Sequence, residues 1–376
     1  MPSSKQRLAY ERGRDDLIRL THRGLARTEF VPRAAELLCE AVPFDGACWH
    51  TVDPATRLIT SHYTNLSGEG FRYICHNEYL QDDVGKFASL VGRRRPATTL
   101  SAETGQQLER SARYREIYRP RGWGSELRAS FDLAGTSWGS VMMLRASDRP
   151  EFSGAEAALV GSLSRHVAHG LRTAILRGAP PSARVADEPG LVVLDGHEEL
   201  EAVSPAAERW LEEIDDVPGL GALPAAVLSV AARARAVVEG TAVGDGPARV
   251  RLQTRSGRWL ILHGSGLGDG RAAIIVEPAG SVEIAPLVIE AYGLTVRERE
   301  VLAAVVRGES TDRIAAALFL SPHTVQDHLK SIFEKTSTRS RRELTGRVFY
   351  DLAAPSVFGG APLAADGWFA EPPAER

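Results

Sequence analysis

The sequence contains few of the residues that stabilise secreted or membrane-embedded proteins. Its three cysteines, Cys39, Cys48 and Cys75, have no CxxC spacing, so a disulfide framework and an ordinary zinc site are excluded. We expect them to be small buried hydrophobic side chains. No apolar run approaches the roughly 20 residues that cross a bilayer, and the start, MPSSKQRLAYERGRDD, lacks the apolar segment of a secretory signal. The sequence therefore predicts a cytoplasmic protein without a membrane partner.

Motifs of nucleotide-binding and catalytic proteins are also missing. Four alternate glycines do not match GxGxxG in any register and are predicted to lie in a hairpin loop: Gly264, Gly266, Gly268 and Gly270. No GxxxxGK motif of ATP-driven regulators is present. Without a nucleophile–base pair, a metal cluster or a phosphate loop, we expect a protein that is not an enzyme and has no cofactor.

Charge is distributed unevenly along the chain. The whole chain has a net charge of −3, yet residues 294–350 contain ten Lys or Arg and seven Asp or Glu. A basic end joined to an acidic remainder is typical of a DNA-binding segment attached to a regulatory region.

Local signals divide residues 294–351 into four short helices. In chain order the signals are a capping box of Thr295 and Glu298, a closing Gly308, a cap at Ser310, Ser321 before Pro322, and a capping box of Ser340 and Glu343. A turn at Phe319 precedes the third helix, which extends to about Lys335.

The third helix has two distinct faces. Its apolar stripe consists of Val325, Leu329, Ile332 and Phe333. The opposite side is polar and carries His323, Gln326, Asp327, Lys330 and Glu334. A short helix, a tight turn and a second helix with a polar outer face is the arrangement in which a helix-turn-helix presents side chains to the major groove. A small helical bundle with a solvated face is the alternative that composition leaves open.

Three blocks of this segment, LTxREREVL, GxSxxxIAxxLxLSxxTVxxHLxxIFxK and SRxEL, together resemble the LuxR/NarL-type C-terminal DNA-binding domain. The resemblance implies that residues 322–335 form the recognition helix and that Thr324 lies near a phosphate. It implies groove-facing positions at Asp327 and Lys330, the latter within reach of a guanine edge or a phosphate. The expected DNA-binding residues are Ser321, His323, Thr324, Gln326, Asp327, Lys330 and Arg339.

The chain departs from the family pattern at several positions. Gln326 stands where the family usually has a basic residue, and Asp327 adds a negative charge. The family's KLG-hydrophobic stretch is Lys-Thr-Ser-Thr at 335–338, so we expect two apolar contacts between the third and fourth helices to be lost. Non-specific DNA affinity is predicted to be modest, with an altered base preference because Asp accepts from cytosine N4. These departures keep open a sensor or scaffold that acts through protein partners with weakened DNA binding.

The first 176 residues combine helices with two hairpins. Helices are predicted at 5–28, 30–42, 76–91 and 105–119, strands at 46–53 and 57–64, a second hairpin in ELRASFDL and SWGSVMML, and a long helix after a capping box of Ser153 and Glu156. This α+β order, together with the amino-acid sequence of residues 140–176, resembles a GAF domain. The resemblance implies a small molecule held against the sheet, or dimerisation. The candidate ligand-binding residues are Trp49, His62, Tyr63, Tyr79 and Trp123, although for each one alone an ordinary core or surface position is the more common explanation.

The middle of the chain begins with a Pro- and Gly-rich segment at 177–190, predicted to be a linker. Two strands, helices and three strands then follow at 191–280, an order that resembles a PAS domain, carried mainly by LVVLDGHEELEAVSPAAERWL and by residues 251–263. We expect a connector helix at 281–293, the DNA-binding domain at 294–353 and a disordered tail at 354–376.

The sequence thus predicts a multidomain protein with an α+β GAF-like domain at 1–176, an α+β PAS-like domain and an all-α four-helix LuxR-type helix-turn-helix domain. The predicted function is a DNA-binding transcriptional regulator whose first two domains sense a signal or mediate dimerisation. Its expected partners are double-stranded DNA, a second copy of the chain and a small-molecule effector. The helix at 153–176 and the one near Ser340 are the dimer candidates. A lactone-responsive quorum-type regulator is a narrower alternative.

Overall fold

Two five-stranded sheets form the framework of the chain up to Pro278. The structure, a computed structural model, describes residues 4–66, 71–176, 188–214, 223–242 and 246–352. Contacts divide these residues into two units, of which the second comprises residues 257–259 and the residues from Ala279 onward. The predicted linker lies outside the described residues up to position 187, and the predicted disordered tail lies outside them entirely.

The first sheet is antiparallel, with strand order β2-β1-β5-β4-β3. Its strands are β1 (Gly46–Val52), β2 (Ile59–Thr64), β3 (Ala97–Thr99), β4 (Trp123–Leu133) and β5 (Thr136–Ala146). The helices around it are α1 (Ser4–Thr21), α2 (Arg27–Ala41), α3 (Phe71–Tyr79), α4 (Phe87–Leu90), α5 (Leu100–Thr104) and α6 (Gly154–Ile175). This is the α+β layout that the sequence predicts.

Local sequence signals determine the hairpin β4–β5 and the helix that follows it. Ala134 and Gly135 have φ angles of 52° and 84°, the left-handed values of a primed two-residue turn. Ser153 and Glu156 form the predicted capping box of α6. Within β5, a Cβ at Gly139 would lie 2.5 Å from the His50 carbonyl oxygen of β1 and 2.6 Å from Leu171 of α6, so this glycine allows both elements to approach the strand closely.

The predicted helices at 76–91 and 105–119 are wrong in extent. Helix α3 ends at Tyr79, α4 begins at Phe87, and the second region holds a 3-10 turn at Leu108–Arg110 and a π turn at Tyr114–Tyr118. The carboxylate of Asp83 accepts hydrogen bonds from Asn77 Nδ2 at 2.9 Å and from the Arg113 amide at 2.9 Å. These long-range bonds hold the backbone in turns where local periodicity favours a helix.

The second sheet repeats the strand order of the first. It runs β7-β6-β10-β9-β8, which is 2-1-5-4-3 in each sheet when strands are numbered along the chain. Its elements are β6 (Gly190–Leu194), β7 (Leu200–Val203), α7 (Pro205–Ile214), α8 (Ala225–Val238), β8 (Arg249–Gln253), β9 (Trp259–Gly266) and β10 (Ala272–Pro278). The PAS-like assignment of this α+β region stays a prediction.

Two of the four alternate glycines do not lie in the predicted hairpin loop. Gly264 and Gly266 belong to β9. A Cβ at Gly264 would lie 2.5 Å from Val230, and one at Gly266 would lie 2.6 Å from Val238. Both glycines are therefore needed for α8 to pack on the strand, and only Gly268 and Gly270 lie in the loop.

The two sheets share one hydrophobic core. Leu58, Ile59 and Cys75 lie in the same buried cluster as Val227 and Leu228 of α8. Polar contacts reinforce it. Ser229 Oγ donates to the Ile59 carbonyl at 2.8 Å, and Arg251 Nη2 donates to Asp53 Oδ1 at 2.7 Å. The two sheets are therefore parts of a single packed unit.

The second unit is helical. It contains α9 (Ser281–Ala291), α10 (Val296–Val306), α11 (Thr311–Leu318), α12 (Pro322–Thr336) and α13 (Arg341–Leu352). The last four are the four helices predicted from the sequence. Within the described ranges, no helix combines the length and apolar character needed to cross a membrane.

A network of buried charges connects β4 to the segment between α3 and α4. Glu126 accepts hydrogen bonds from Arg113 Nη2 at 2.8 Å and from Arg128 Nε at 2.6 Å. Arg113 Nη1 also lies 3.3 Å from Asp83, and Arg128 Nη1 donates to Glu78 at 2.8 Å. Burial alone would raise the pKa of Glu126, but the two arginines outweigh it and lower that pKa. The two arginines and the three carboxylates thus compensate one another's charges inside the protein.

We expect Glu126→Gln to lower the free energy of unfolding by about 3–5 kcal/mol, because two buried guanidiniums lose their shared carboxylate. Urea denaturation followed by circular dichroism measures the change. The control is Glu109→Gln, which breaks an exposed pair with Arg119 that is also 2.8 Å long. That change should cost less than about 1 kcal/mol, and equal losses in the two variants would contradict the prediction.

Candidate nucleic-acid interface and ligand cavity

Side-chain caps position the helices of the second unit. The Oγ1 of Thr295 accepts from the Glu298 amide, Ser310 Oγ accepts from the Arg313 amide, and Ser321 Oγ accepts from the Thr324 amide at 3.0 Å. Gly308, with φ 80°, follows α10 as predicted. Between α11 and α12, Phe319 has φ 55° and is 94% exposed, so the predicted turn is built on a left-handed residue.

The cap of α13 differs from the predicted capping box in one contact. Ser340 Oγ accepts from the Glu343 amide at 3.1 Å. The Glu343 carboxylate, however, accepts from the Arg339 amide at 2.8 Å rather than from the Ser340 amide. The side chain of Glu343 therefore closes the turn one residue earlier than predicted.

Helix α12 presents the two faces expected from its spacing. Val325, Leu329 and Ile332 are at most 2% exposed and pack against α10 and α11, while Phe333 is half-buried. The residues predicted for the polar face are all exposed, and they are His323, Gln326, Asp327, Lys330 and Glu334. One face of the helix thus belongs to the core, and the other is available to a partner.

Glu298 holds α12 against α10. Its carboxylate accepts hydrogen bonds from the Thr295 amide, from Ser331 Oγ and from Lys335 Nζ, each at 2.6 Å. Burial alone would raise the pKa of Glu298, but the hydrogen bonds from Lys335, Ser331 and Thr295 outweigh it and lower the pKa to about 2. One carboxylate therefore caps α10 and fixes the last turns of α12.

A second polar contact orients the other end of α12. Thr311, at the start of α11, accepts a hydrogen bond from Gln326 Nε2 at 3.3 Å and another from Arg341 Nη2 at 2.9 Å. Arg341 also donates to the Glu309 carbonyl at 2.7 Å. The amide of Gln326 thus takes part in the contact between α11 and α12.

The unusual stretch after α12 is well packed. Thr336 and Thr338 are 1% and 6% exposed, and their hydroxyls lie 2.9 Å apart. Ser337 between them has φ 53°, and the Thr338 amide donates to the Phe333 carbonyl at 2.9 Å. A buried hydroxyl pair therefore occupies the positions at which we expected apolar contacts to be lost.

The outer face of α12 carries little positive charge. Lys330 is its one cation among the exposed residues named above, and it shares the face with Asp327 and Glu334. His323 Nε2 lies 4.0 Å from Asp327, with both side chains exposed. Ser321 Oγ and Thr324 Oγ1 lie 2.8 Å apart at the start of the helix, and Arg339 is exposed beyond its end.

The first unit contains a cavity of about 650 Å³. Its wall combines apolar residues from β1, β2 and the segment around α4 with Ser130, Ser137 and Ser140 from the hairpin β4–β5. Charged side chains in the wall are Arg57, Glu78, Asp83, Lys86, Arg93, Glu103 and Arg233. The size is that of a small-molecule site.

The structure does not bring the five predicted ligand-binding residues together. Tyr79 lines the large cavity. Trp49, His62 and Tyr63 line a smaller one of about 210 Å³ beside α2, and Trp123 lines neither of these two. Burial, with smaller effects of the nearby His62 and Arg128, lowers the pKa of His50 to about 3, so the imidazole beside these pockets is neutral at physiological pH.

Sequence reasoning did not identify the charged wall of the large cavity. Arg233 is the clearest case, because it is one of two arginines in the largely apolar helix AAVLSVAARARAVV and is only 7% exposed. An arginine inside an apolar helix is a sequence signal for a buried polar site, since arginines are almost never fully buried unless they are paired. Among the residues that the structure describes, no group of His, Cys, Asp or Glu side chains could hold a metal ion.

We expect Glu298→Gln to loosen α12 at neutral pH, with an effect that shrinks in acid. The pKa of Glu298 is lowered from 4.5 to about 2, so its stabilisation is complete above its ordinary pKa and is lost as the pH falls toward 2. Hydrogen-exchange protection of α12 amides between pH 7 and pH 3 measures this difference. Glu300→Gln, at an exposed carboxylate 2.8 Å from Arg297, is the control. A pH-independent effect of Glu298→Gln would contradict the prediction.

Comparison with known proteins places the second unit in a family. The family model described as bacterial regulatory proteins, luxR family, matches residues 293–348. The monoamine regulon transcriptional regulator of Klebsiella aerogenes is 42% identical over 60 residues, which are 16% of this chain and 26% of that protein. The chain therefore spans only about a quarter of that relative.

A solved structure is similar to the first unit, but only weakly. The GAF domain/HD domain protein from Geobacter sulfurreducens matches with 20% identity and a TM-score of 0.31, over 43% of this chain and 98% of that one.

Spore germination protein GerE of Bacillus subtilis is 38% identical over 50 residues, which are 13% of this chain and 68% of GerE. Its match, like that of the family model, falls where the capped helices and the tight turn carry the resemblance seen in the sequence. Through this C-terminal domain, the chain belongs to the luxR family of bacterial regulatory proteins.

Proposed function

We propose that the protein is a DNA-binding transcriptional regulator that acts as a homodimer and responds to a small molecule bound in the first unit. The observation that carries this proposal is the exposed polar face of α12, on a helix whose other face is buried against α10 and α11. A helix so placed can enter the major groove of B-DNA. The interface residues in this proposal are Ser321, His323, Thr324, Gln326, Asp327, Lys330 and Arg339.

Dimerisation follows from the small size of the DNA-binding domain. A single four-helix module buries little surface on DNA, whereas two recognition helices about 34 Å apart read a two-fold site. Of the two dimer candidates, α6 uses its apolar stripe within the first unit, where Val160, Leu163 and Val167 are buried. We therefore assign the dimer contact to α13.

The proposal is tested by fluorescence anisotropy of the full chain with a labelled random duplex library, followed by sequencing of the bound fraction. We expect binding that weakens as salt increases, and selected sites with two half-sites about 10 base pairs apart. Near-zero binding even at low salt would favour the alternative of a scaffold acting through protein partners. Gln326, Asp327 and the stretch at 336–338 motivate this alternative.

We expect Lys330→Ala to weaken binding to the selected duplex by about 1–3 kcal/mol if the ammonium reaches a base edge. Anisotropy titration at fixed salt measures this change. Arg209→Ala removes an exposed cation from α7 in the first unit and should leave the affinity unchanged. An unchanged affinity of Lys330→Ala would show that α12 does not contact the duplex in this way.

We expect Asp327→Lys to strengthen non-specific binding and to steepen its dependence on salt. Each added phosphate contact increases the slope of log K against log salt by about 0.9. Titration of an unrelated duplex at several salt concentrations measures the slope. The neutral variant Asp327→Asn separates the removal of repulsion from the new contact, because it should steepen the slope less than Asp327→Lys does. An identical slope for Asp327→Lys and the native chain would contradict the proposed orientation of α12.

A further inference from the structure

The hydroxyl group of Thr311 connects three helices of the second unit. Its Oγ1 accepts a hydrogen bond from Gln326 Nε2 of α12 at 3.3 Å and another from Arg341 Nη2 of α13 at 2.9 Å. Arg341 is in turn held by the Glu309 carbonyl, to which its Nη1 donates at 2.7 Å. The acceptor that meets Gln326 is therefore held in place by α13 as well as by its own helix.

Gln326 is exposed and is nevertheless anchored to another helix. It is the fifth residue of α12, on the face that carries His323, Asp327 and Lys330. His323 and Asp327, by contrast, approach each other on the same helix, at 4.0 Å. Because one end of the Gln326 side chain is already fixed, less conformational entropy is lost when the side chain binds a partner. Residues in the first turns of a recognition helix are those that reach base edges.

The contact with Thr311 uses only part of the hydrogen-bonding capacity of the Gln326 amide. A glutamine amide has two N–H donors and an oxygen with two lone pairs. One N–H is donated to Thr311, which leaves the second N–H and the oxygen Oε1 of an exposed side chain. A donor and an acceptor are therefore available side by side for one partner.

A donor beside an acceptor is complementary to one base edge in the major groove. Adenine presents the N7 acceptor next to the N6 amino donor, and an amide pairs with both. Guanine presents two acceptors, N7 and O6, so the amide oxygen would face another oxygen. Cytosine offers an amino donor, and thymine offers an acceptor beside a methyl group, so each of them takes only one of the two hydrogen bonds.

The neighbouring charged side chains of the same face suit other bases. Asp327 is an acceptor only when it is ionised, and Lys330 is a donor only. They match cytosine N4 and the O6/N7 edge of guanine, respectively. Of these three side chains, Gln326 is the one that matches adenine with two hydrogen bonds.

We propose that Gln326 is a specificity-determining residue that recognises an adenine in the major groove, and that Thr311 is the positioning residue that orients its amide. The proposal rests on the proposed DNA-binding function and adds the identity of one base pair. Gln326 Oε1 accepts from adenine N6, the N–H beside it donates to adenine N7, and the remaining N–H stays with Thr311. Each half-site then contains an A·T pair at the position that faces Gln326.

The test is the selection of bound duplexes from a random library by the full chain and by its variants, followed by sequencing. We expect the native chain to select one adenine in each half-site, and duplexes with another base there to bind about tenfold more weakly. Gln326→Ala should remove the preference at this position and leave the preferences at the other positions unchanged. Gln326→Glu, which has acceptors but no N–H, should select cytosine at the same position.

Thr311→Val keeps the shape of the side chain and removes the hydroxyl that accepts from Gln326. We expect a weaker preference for adenine at the same position, because the intact amide is then free to rotate. The control is Thr345→Val, at a half-buried threonine of α13, which should select the same sites as the native chain. Gln326→Glu changes an exposed residue, so the test is still decisive if Thr311→Val does not fold.

Base preferences that are all unchanged in Gln326→Ala would overturn the proposal, as would a base other than adenine at the position that responds. A preference that is unchanged in Thr311→Val would overturn the positioning role of Thr311. If the native chain binds no duplex, the proposed regulatory function is rejected as well. Duplex binding whose base preference does not depend on Gln326 rejects this proposal alone.

Discussion

Glu126 is buried between Arg113 and Arg128, and these three charges are stable inside the protein only through their mutual contacts. Asp83 and Glu78 extend the network at both ends. A buried ion that loses its partner cannot be solvated by water instead. These ions therefore allow only one arrangement of the segments that carry them. Those segments are β4 and the wall of the large cavity around Phe87. The shape of the cavity therefore depends on this charge network as well as on apolar packing.

A carboxylate has a similar role in the second unit, on a smaller scale. Glu298 closes the first turn of α10 and also binds Ser331 and Lys335 of α12. The polar face of α12 is thus oriented by a residue that does not lie on it. In each unit, a carboxylate outside the proposed binding surface keeps that surface in place: Glu126 does so for the cavity and Glu298 for the polar face of α12.

Sequence reasoning succeeded where the determinants are local. The caps at Thr295, Ser310 and Ser321 each depend on residues three positions apart, and all three are present. It failed where contacts between residues far apart in the sequence determine the local structure. In the segment around Asp83, hydrogen bonds from Ser111 and Arg113 stabilise turns in place of the predicted helix. The strand β3 was missed for the same reason, because its three residues are defined only by pairing with β4. Neither the cavity nor the position of Arg233 in it follows from periodicity, since both depend on how α8 packs.

The core that joins the two sheets has a consequence for the ancestry of the chain. Their common strand order would suit an origin by duplication or by the joining of two independent modules. Once Ser229 and Arg251 had formed their bonds to Ile59 and Asp53, neither half could be exchanged in a gene fusion without exposing the apolar side of α8.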